Sequence, residues 1–238
     1  YGETVILQDV SFTVAEGERF VILGGSGCGK STLLRHLIGL QPPLAGTIRL
    51  RGVDITRADD TARRAVLRNI GVLFQGGALF SSMTVAENIA LPLENATDLS
   101  RSQIEDLVRI KLSLVGLAGF ENHYPGELSG GMRKRAGLAR ALALNPAILF
   151  FDEPSAGLDP LTSAELDELI IALNQTLHTT MVIVTHELAS IFAIAQRVIM
   201  LDKGSRTIIA SGDPHWLRDH HKNPWVQNFF NRRPSSAS

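Results

Sequence analysis

The chain has 238 residues, 45% apolar and 20% charged, so it can bury a sizeable core and is too apolar for bulk disorder. Its 23 Lys and Arg against 24 Asp and Glu leave a net charge of −1, which argues against a broad basic face for nucleic acid. One cysteine excludes a disulfide framework and a multi-cysteine zinc site.

Residues 4–14 alternate loosely between apolar and polar, are rich in Val, Ile and Phe, and read as a strand closed by a turn at Gly17. Phe20 to Leu23 is a short continuous apolar run, the pattern of a strand buried on both faces. A glycine-rich turn follows, then a helical stretch with Leu33, Leu34, Leu37 and Ile38 on one side, ended by Gly39 and Pro42-Pro43. Residues 47–55 read as a strand pair, and Gly71 to Phe74 as a short strand. From about Gln75 to Asn145 helical signals dominate. Ala147 to Phe151 is again a buried-strand run, Leu166 to Leu177 has helical spacing, Met181 to Val184 is a strand, 191–196 a helix and Val198 to Leu201 a strand. Buried strands alternating with helices predict an α/β fold with a mostly parallel sheet. No apolar run approaches the ~20 residues of a membrane-spanning helix. The first residues carry no positively charged stretch and no small-residue cleavage site, so they do not read as a secretory signal.

Two clusters carry chemistry on their own. Gly24-Gly25-Ser26-Gly27-Cys28-Gly29-Lys30-Ser31-Thr32 fits the phosphate-binding loop G-x-x-x-x-G-K-S/T and lies between a buried strand and a helix, where that loop must lie. Its glycines let backbone N–H groups point at phosphate oxygens, and the following helix adds the positive end of its dipole. Lys30 places a point charge on the β- and γ-phosphates, Ser31 can join a Mg²⁺ shell and Thr32 can bond the α-phosphate. Cys28 reads as a small filler of the loop. The second cluster is Asp152-Glu153, two carboxylates at the end of a buried strand, where ligands of open α/β sheets bind. Asp152 suits Mg²⁺ through water, and Glu153 a water in line with the γ-phosphate.

A third motif narrows the field. Leu128-Ser129-Gly130-Gly131-Met132 opens a helix, with Ser129 as N-cap and two glycines exposing the helix end to an anion. One compact domain has no use for both anion sites on one ATP, whereas two chains head to tail can each close the other's nucleotide.

With these motifs the chain resembles, over nearly its whole length, the ATP-binding subunits of ABC transporters. The resemblance implies a P-loop ABC-type nucleotide-binding domain with a mostly parallel core sheet, an antiparallel N-terminal β part and a helical subdomain. It implies one domain over 1–238, with a nucleotide core at 1–75 and 146–238 and the helical subdomain at 76–145. Gln75 matches the family's nucleotide-sensing glutamine and a metal contact, and Ser155 to Asp159 its D-loop. His186 matches its switch histidine, and Tyr1 the aromatic that stacks on adenine. The implied activity is ATP hydrolysis with Mg²⁺ by a head-to-tail homodimer, coupled to integral membrane permease subunits and needing no nucleic acid.

The signature departs from the common pattern at Met132-Arg133-Lys134-Arg135. With residues 76–93, Val184 to Phe192 and Asn223 to Phe230, it resembles the ATPases of MCE-protein (Mla or toluene-tolerance type) lipid transport. That branch implies an MCE-domain partner, a phospholipid or other hydrophobic ligand, and a place on the cytoplasmic face of the bacterial inner membrane. The family resemblance places a docking groove for permease helices in residues 76–93, with Leu79, Phe80, Leu91 and Leu93 expected to divide between that groove and the core of the helical lobe. The aromatic C-terminal stretch, Trp216, Trp225, Phe229 and Phe230 among it, is expected to pack on its own domain.

Overall fold

A computed structural model describes residues 5–233. Its principal sheet has six strands in the order β4-β5-β6-β1-β7-β8. They are β1 (Arg19–Gly24), β4 (Ile70–Leu73), β5 (Ile148–Asp152), β6 (Thr180–Val184), β7 (Arg197–Leu201) and β8 (Ile208–Gly212). The first five pair in parallel and β8 returns antiparallel along β7. A two-stranded antiparallel hairpin, β2 (Arg49–Leu50) and β3 (Val53–Asp54), stands apart.

The apolar runs are strands because both faces of the sheet are covered. Val21, Leu23, Leu149, Phe151, Met181 and Ile183 point into one core, and Phe20, Ile22, Phe150, Val182 and Val184 into the other. The second core is closed by α1 (Lys30–Leu37) through Leu33 and Leu34. The first is closed by α3 (Val85–Ala96), α4 (Arg101–Leu114), α5 (Gly130–Ala141), α6 (Pro160–Leu177) and α7 (Leu188–Ile194). Two short helices, α8 (Pro214–His220) and α9 (Pro224–Phe230), bury Leu217, Val226 and Phe230 in that core, so the C-terminal stretch does pack on its own domain. Trp216 stays exposed and stacks on His220.

One expectation fails. Residues 5–14 form no ladder. Their contacts come one at a time, Gln8 N–H to the Arg206 carbonyl at 2.9 Å and Thr207 Oγ1 to the Asp9 carbonyl at 3.2 Å. Asp9 is left-handed (φ 53°), which breaks the extended run that the alternation suggests. Helix α2 (Asp60–Leu67), capped by Asp59, carries no buried residue and so shows no core stripe in the sequence.

Among the helices between β4 and β5, α5 meets the sheet at close range. A Cβ at Gly71 would overlap the Ala141 carbonyl oxygen of α5, so helix and strand meet with no side-chain layer between them. Arg140 reinforces the contact, donating to the Ala78 carbonyl at 2.8 Å and the Gly77 carbonyl at 3.0 Å. The loop after Gln75 is thereby fastened to α5.

Candidate nucleotide site

Because β4, β5, β6 and β1 are adjacent and parallel, the segments leaving their C-terminal ends emerge on one edge. These segments hold Gln75, Asp152 with Glu153, His186 and the loop 24–29 respectively. The site is a consequence of strand order.

The loop is shaped for backbone donors. Gly24 has φ 150°, and a Cβ there would strike the Leu201 carbonyl and lie 2.6 Å from Cys28 Sγ. Gly29 (φ 99°) is the N-cap of α1 and offers no side chain, so the first N–H groups of the helix, from Lys30, Ser31 and Thr32, have no side-chain cap. Lys30 is buried and its Nζ donates to the Gly24 carbonyl at 3.0 Å and the Gly25 carbonyl at 3.3 Å. The ammonium is thus held across the loop's mouth. Ser26 and Gly27 are exposed at its rim. Cys28 is buried and burial raises its thiol pKa, so it stays a filler rather than a thiolate. Ile6 and Leu7 lie against Gly29, so the N-terminal segment passes the loop; Tyr1 lies outside the described residues.

Opposite the loop stand the two acids. Asp152 Oδ1 is buried and has no hydrogen-bond partner among the described residues. Burial and then the neighbouring Glu153 charge raise its pKa, and Arg35, Lys30 and Lys134 pull it back. A buried carboxylate oxygen with no donor fits a cation. No three His, Cys, Asp or Glu side chains converge as a ready metal group among the described residues. The single buried carboxylate suits Mg²⁺, which takes one or two carboxylates and completes its shell with phosphates and water.

Glu153 sits in the left-handed region (φ 49°), strained for a side chain of its size. Its amide is held by the Val184 carbonyl at 2.8 Å. Its carboxylate meets His186, with Oε1 2.8 Å from Nδ1 and Oε2 accepting the His186 N–H at 3.4 Å. Glu153 is mostly covered, at 13% side-chain exposure, and His186 is 60% exposed. The acid is therefore anchored while the imidazole reaches outward. Gln75 is exposed in the turn after β4, whose Gly77 N–H bonds to the Phe74 carbonyl at 2.8 Å.

Ser129, Gly130 and Gly131 form the N-terminus of α5. Ser129 Oγ accepts from Met132 N–H at 3.2 Å, which leaves the Gly130 and Gly131 amides outside the helix's own ladder. Asp159 caps α6, accepting from Leu161 N–H, Thr162 N–H and Thr162 Oγ1. Its carboxylate orders the loop, and these bonds hold its pKa below the ordinary range.

Behind the acids lies a buried polar group that sequence inspection misses. Asp167 of α6 is 5% exposed, its Oδ1 is buried with no hydrogen-bond partner among the described residues, and it lies near Ser190, whose Oγ is 3.4 Å from Ser155 Oγ. Burial is the main cause raising its pKa from 3.8 to about 6, and the Glu187 charge adds to it. Between those two values the folded chain holds a proton the unfolded chain has lost, so this group's contribution to stability falls as pH rises through about 6. Asp167→Asn, neutral at every pH, should gain up to about 3 kcal/mol over the parent at pH 8, with the gap narrowing toward pH 5. Urea unfolding at both pH values checks this; an equal gap at both refutes it.

Several known proteins are similar to this chain. The family model described as ABC transporter matches residues 7–156. The probable ribonucleotide transport ATP-binding protein mkl of Mycobacterium tuberculosis is 42% identical over 98% of this chain and 64% of its own length. The methionine import ATP-binding protein MetN of Brucella abortus is 44% identical over 91% of this chain and 58% of its own. The chain thus spans about three fifths of these relatives. Among solved structures, a dimeric ATP-binding cassette in a post-hydrolysis state with ADP and Pi superposes with a TM-score of 0.80 at 32% identity, covering 90% of this chain and 93% of that one. The cbiO1 protein of Clostridium perfringens, part of an ABC transporter complex, gives 0.82 at 28% identity over 94% and 88%. The phosphate loop, the acids at the end of β5 and the cassette-like sheet thus have one common explanation: the chain belongs to the ABC transporter family and has its P-loop ATPase fold.

Proposed function

We propose that the chain hydrolyses ATP as a head-to-tail dimer and drives a membrane permease that moves phospholipid or another hydrophobic ligand. The observation that carries the chemistry is the Glu153–His186 contact at 2.8 Å beside Asp152, whose buried oxygen lacks a protein partner.

The loop amides of 25–29 and the Lys30 ammonium hold the triphosphate, and Thr32 bonds the α-phosphate. Asp152, Ser31 and Gln75 would hold Mg²⁺, which when bound neutralises charge on the β- and γ-oxygens. Glu153 takes a proton from the attacking water, and the strain at its backbone keeps the carboxylate aimed. His186 orients that carboxylate and presents its outer edge to the γ-phosphate. Ser129, Gly130 and Gly131 of a second copy cover the same phosphate, so ATP joins two protomers and hydrolysis releases them. Asp159 orders the loop at that joint. Tyr1, upstream of the segment that passes Gly29, stacks on adenine. Gln75 and the loop fastened to α5 pass the change to the permease at the cytoplasmic face of the inner membrane. No helix among the described residues is long and apolar enough to cross a membrane.

The hydrophobic cargo rests on the branch resemblance of residues 76–93 and of the signature with Met132, and brings with it an MCE-domain partner. A second reading, import of a polar solute, is favoured by the relative named for methionine import. Detergent extraction from native membranes, followed by mass spectrometry of co-purifying proteins and lipids, separates the two. A permease with an MCE protein and enriched phospholipid is expected. A permease with a solute-binding protein moves the chain to the second reading, and no permease at all overturns transport.

A further inference from the structure

Lys134 is one of the few buried charged side chains, at 5% exposure, and the scheme above gives it no task. It lies on α5 five residues after the cap Ser129. Its Nζ reaches across to donate to the Glu153 carbonyl at 3.2 Å, an oxygen that also accepts the Ala156 N–H at 3.2 Å. Burial lowers the Lys134 pKa, while the carboxylates of Glu187, Glu153 and Asp152 draw it back toward its ordinary value. A buried ammonium is costly, and here its partner is a residue whose backbone is in the strained left-handed region.

The same helix packs closely on the loop after β5 and on the first turn of α6 that follows it. A Cβ at Gly131 would overlap Thr162 Cγ2, and one at Gly130 would lie 3.5 Å from Leu158 Cδ2. The end of α5 that offers its amides and the turn that carries Glu153 therefore share one packed junction, with Lys134 as the hydrogen bond between them.

We propose that Lys134 is a positioning residue: it pins the Glu153 backbone to α5, so that the helix covering the partner's nucleotide also sets the aim of its own protomer's general base. This rests on the dimeric reading above. Docking of α5 on the partner's phosphate would then be felt at Glu153 through a single charge-assisted bond, and the two nucleotide sites of the dimer would be coupled.

The test is ATPase kinetics of Lys134→Met and Lys134→Arg beside Glu153→Gln. Methionine fills the space without the donor. It should lower kcat about tenfold, the loss of one charge-assisted hydrogen bond, with KM within about twofold and the Hill coefficient for ATP reduced toward one. Arginine keeps the charge and donors and should recover most of kcat. A melting temperature close to the parent's shows that the methionine variant is folded. Wild-type kcat and cooperativity in that variant would overturn the proposal and leave the ATPase reading intact. Loss of the ATP-dependent dimer in Lys134→Met/Glu153→Gln, but not in Glu153→Gln alone, would also overturn it, because Lys134 would then serve docking rather than the base. Failure of Glu153→Gln itself to dimerise with ATP would overturn the dimeric reading and the coupling with it.

Discussion

Glu153→Gln will bind ATP and scarcely hydrolyse it, with kcat down about 10²–10⁴-fold, the usual worth of a positioned general base. Glutamine keeps the shape and can still bond His186 Nδ1 across the 2.8 Å gap, so the site should stay assembled. What it lacks is the ability to take a proton. ATP affinity should therefore survive, and an ATP-dependent dimer should accumulate because the γ-phosphate that joins the protomers is not removed. Steady-state phosphate release and size-exclusion chromatography with and without ATP measure the two effects. Turnover at the parent rate would move the base elsewhere in the site.

Lys30→Ala acts one step earlier. Removing the ammonium deletes the point charge held over the β- and γ-phosphates, and truncating one member of a buried charged pair costs about 2–5 kcal/mol, or roughly thirty- to several-thousand-fold in affinity. The same change frees the Gly24 and Gly25 carbonyls that Nζ bridges at 3.0 and 3.3 Å, so the loop itself is loosened. Titration with a fluorescent ATP analogue reads affinity, and a melting curve separates it from unfolding. Unchanged binding in a folded variant would remove the loop from the nucleotide site.

The contrast between these residues and Lys134 shows what a sequence can carry. Gly24 to Thr32, Asp152 and Glu153 are legible because their chemistry demands fixed spacing at a strand end. The strands around them are legible because two covered faces leave an unbroken apolar run. Residues 5–14 mislead for the opposite reason: their alternation is real, yet no neighbouring strand receives it and Asp9 turns out of the extended region. Strand β8 is as long as its neighbours, but Ile208-Ile209-Ala210-Ser211-Gly212 is no unbroken apolar run and buries only Ala210, so pattern alone does not mark it. The caps Asp213 and Asn223, each followed by Pro at the first helical position, do announce α8 and α9 to a closer reading. Lys134 sits in the run Arg133-Lys134-Arg135, which reads as a solvated basic face. Only the phase of α5 turns the middle one inward, and only the fold places the Glu153 carbonyl there.

The contact between Gly71 and Ala141 has a mechanical consequence. Side-chain layers between helix and sheet are compressible and can be repacked, so they blunt a displacement before it travels. Here α5 bears on β4 backbone to backbone, with Arg140 clamping the next turn of chain, and no such cushion exists. Helix and strand must tilt together, hinging in the chain on either side of them instead of sliding past one another. Their amides belong to one cooperative unit and should open to hydrogen exchange as a block, while segment 5–14, held by separate bonds to Arg206, Thr207 and Arg197 and by no ladder, exchanges on its own.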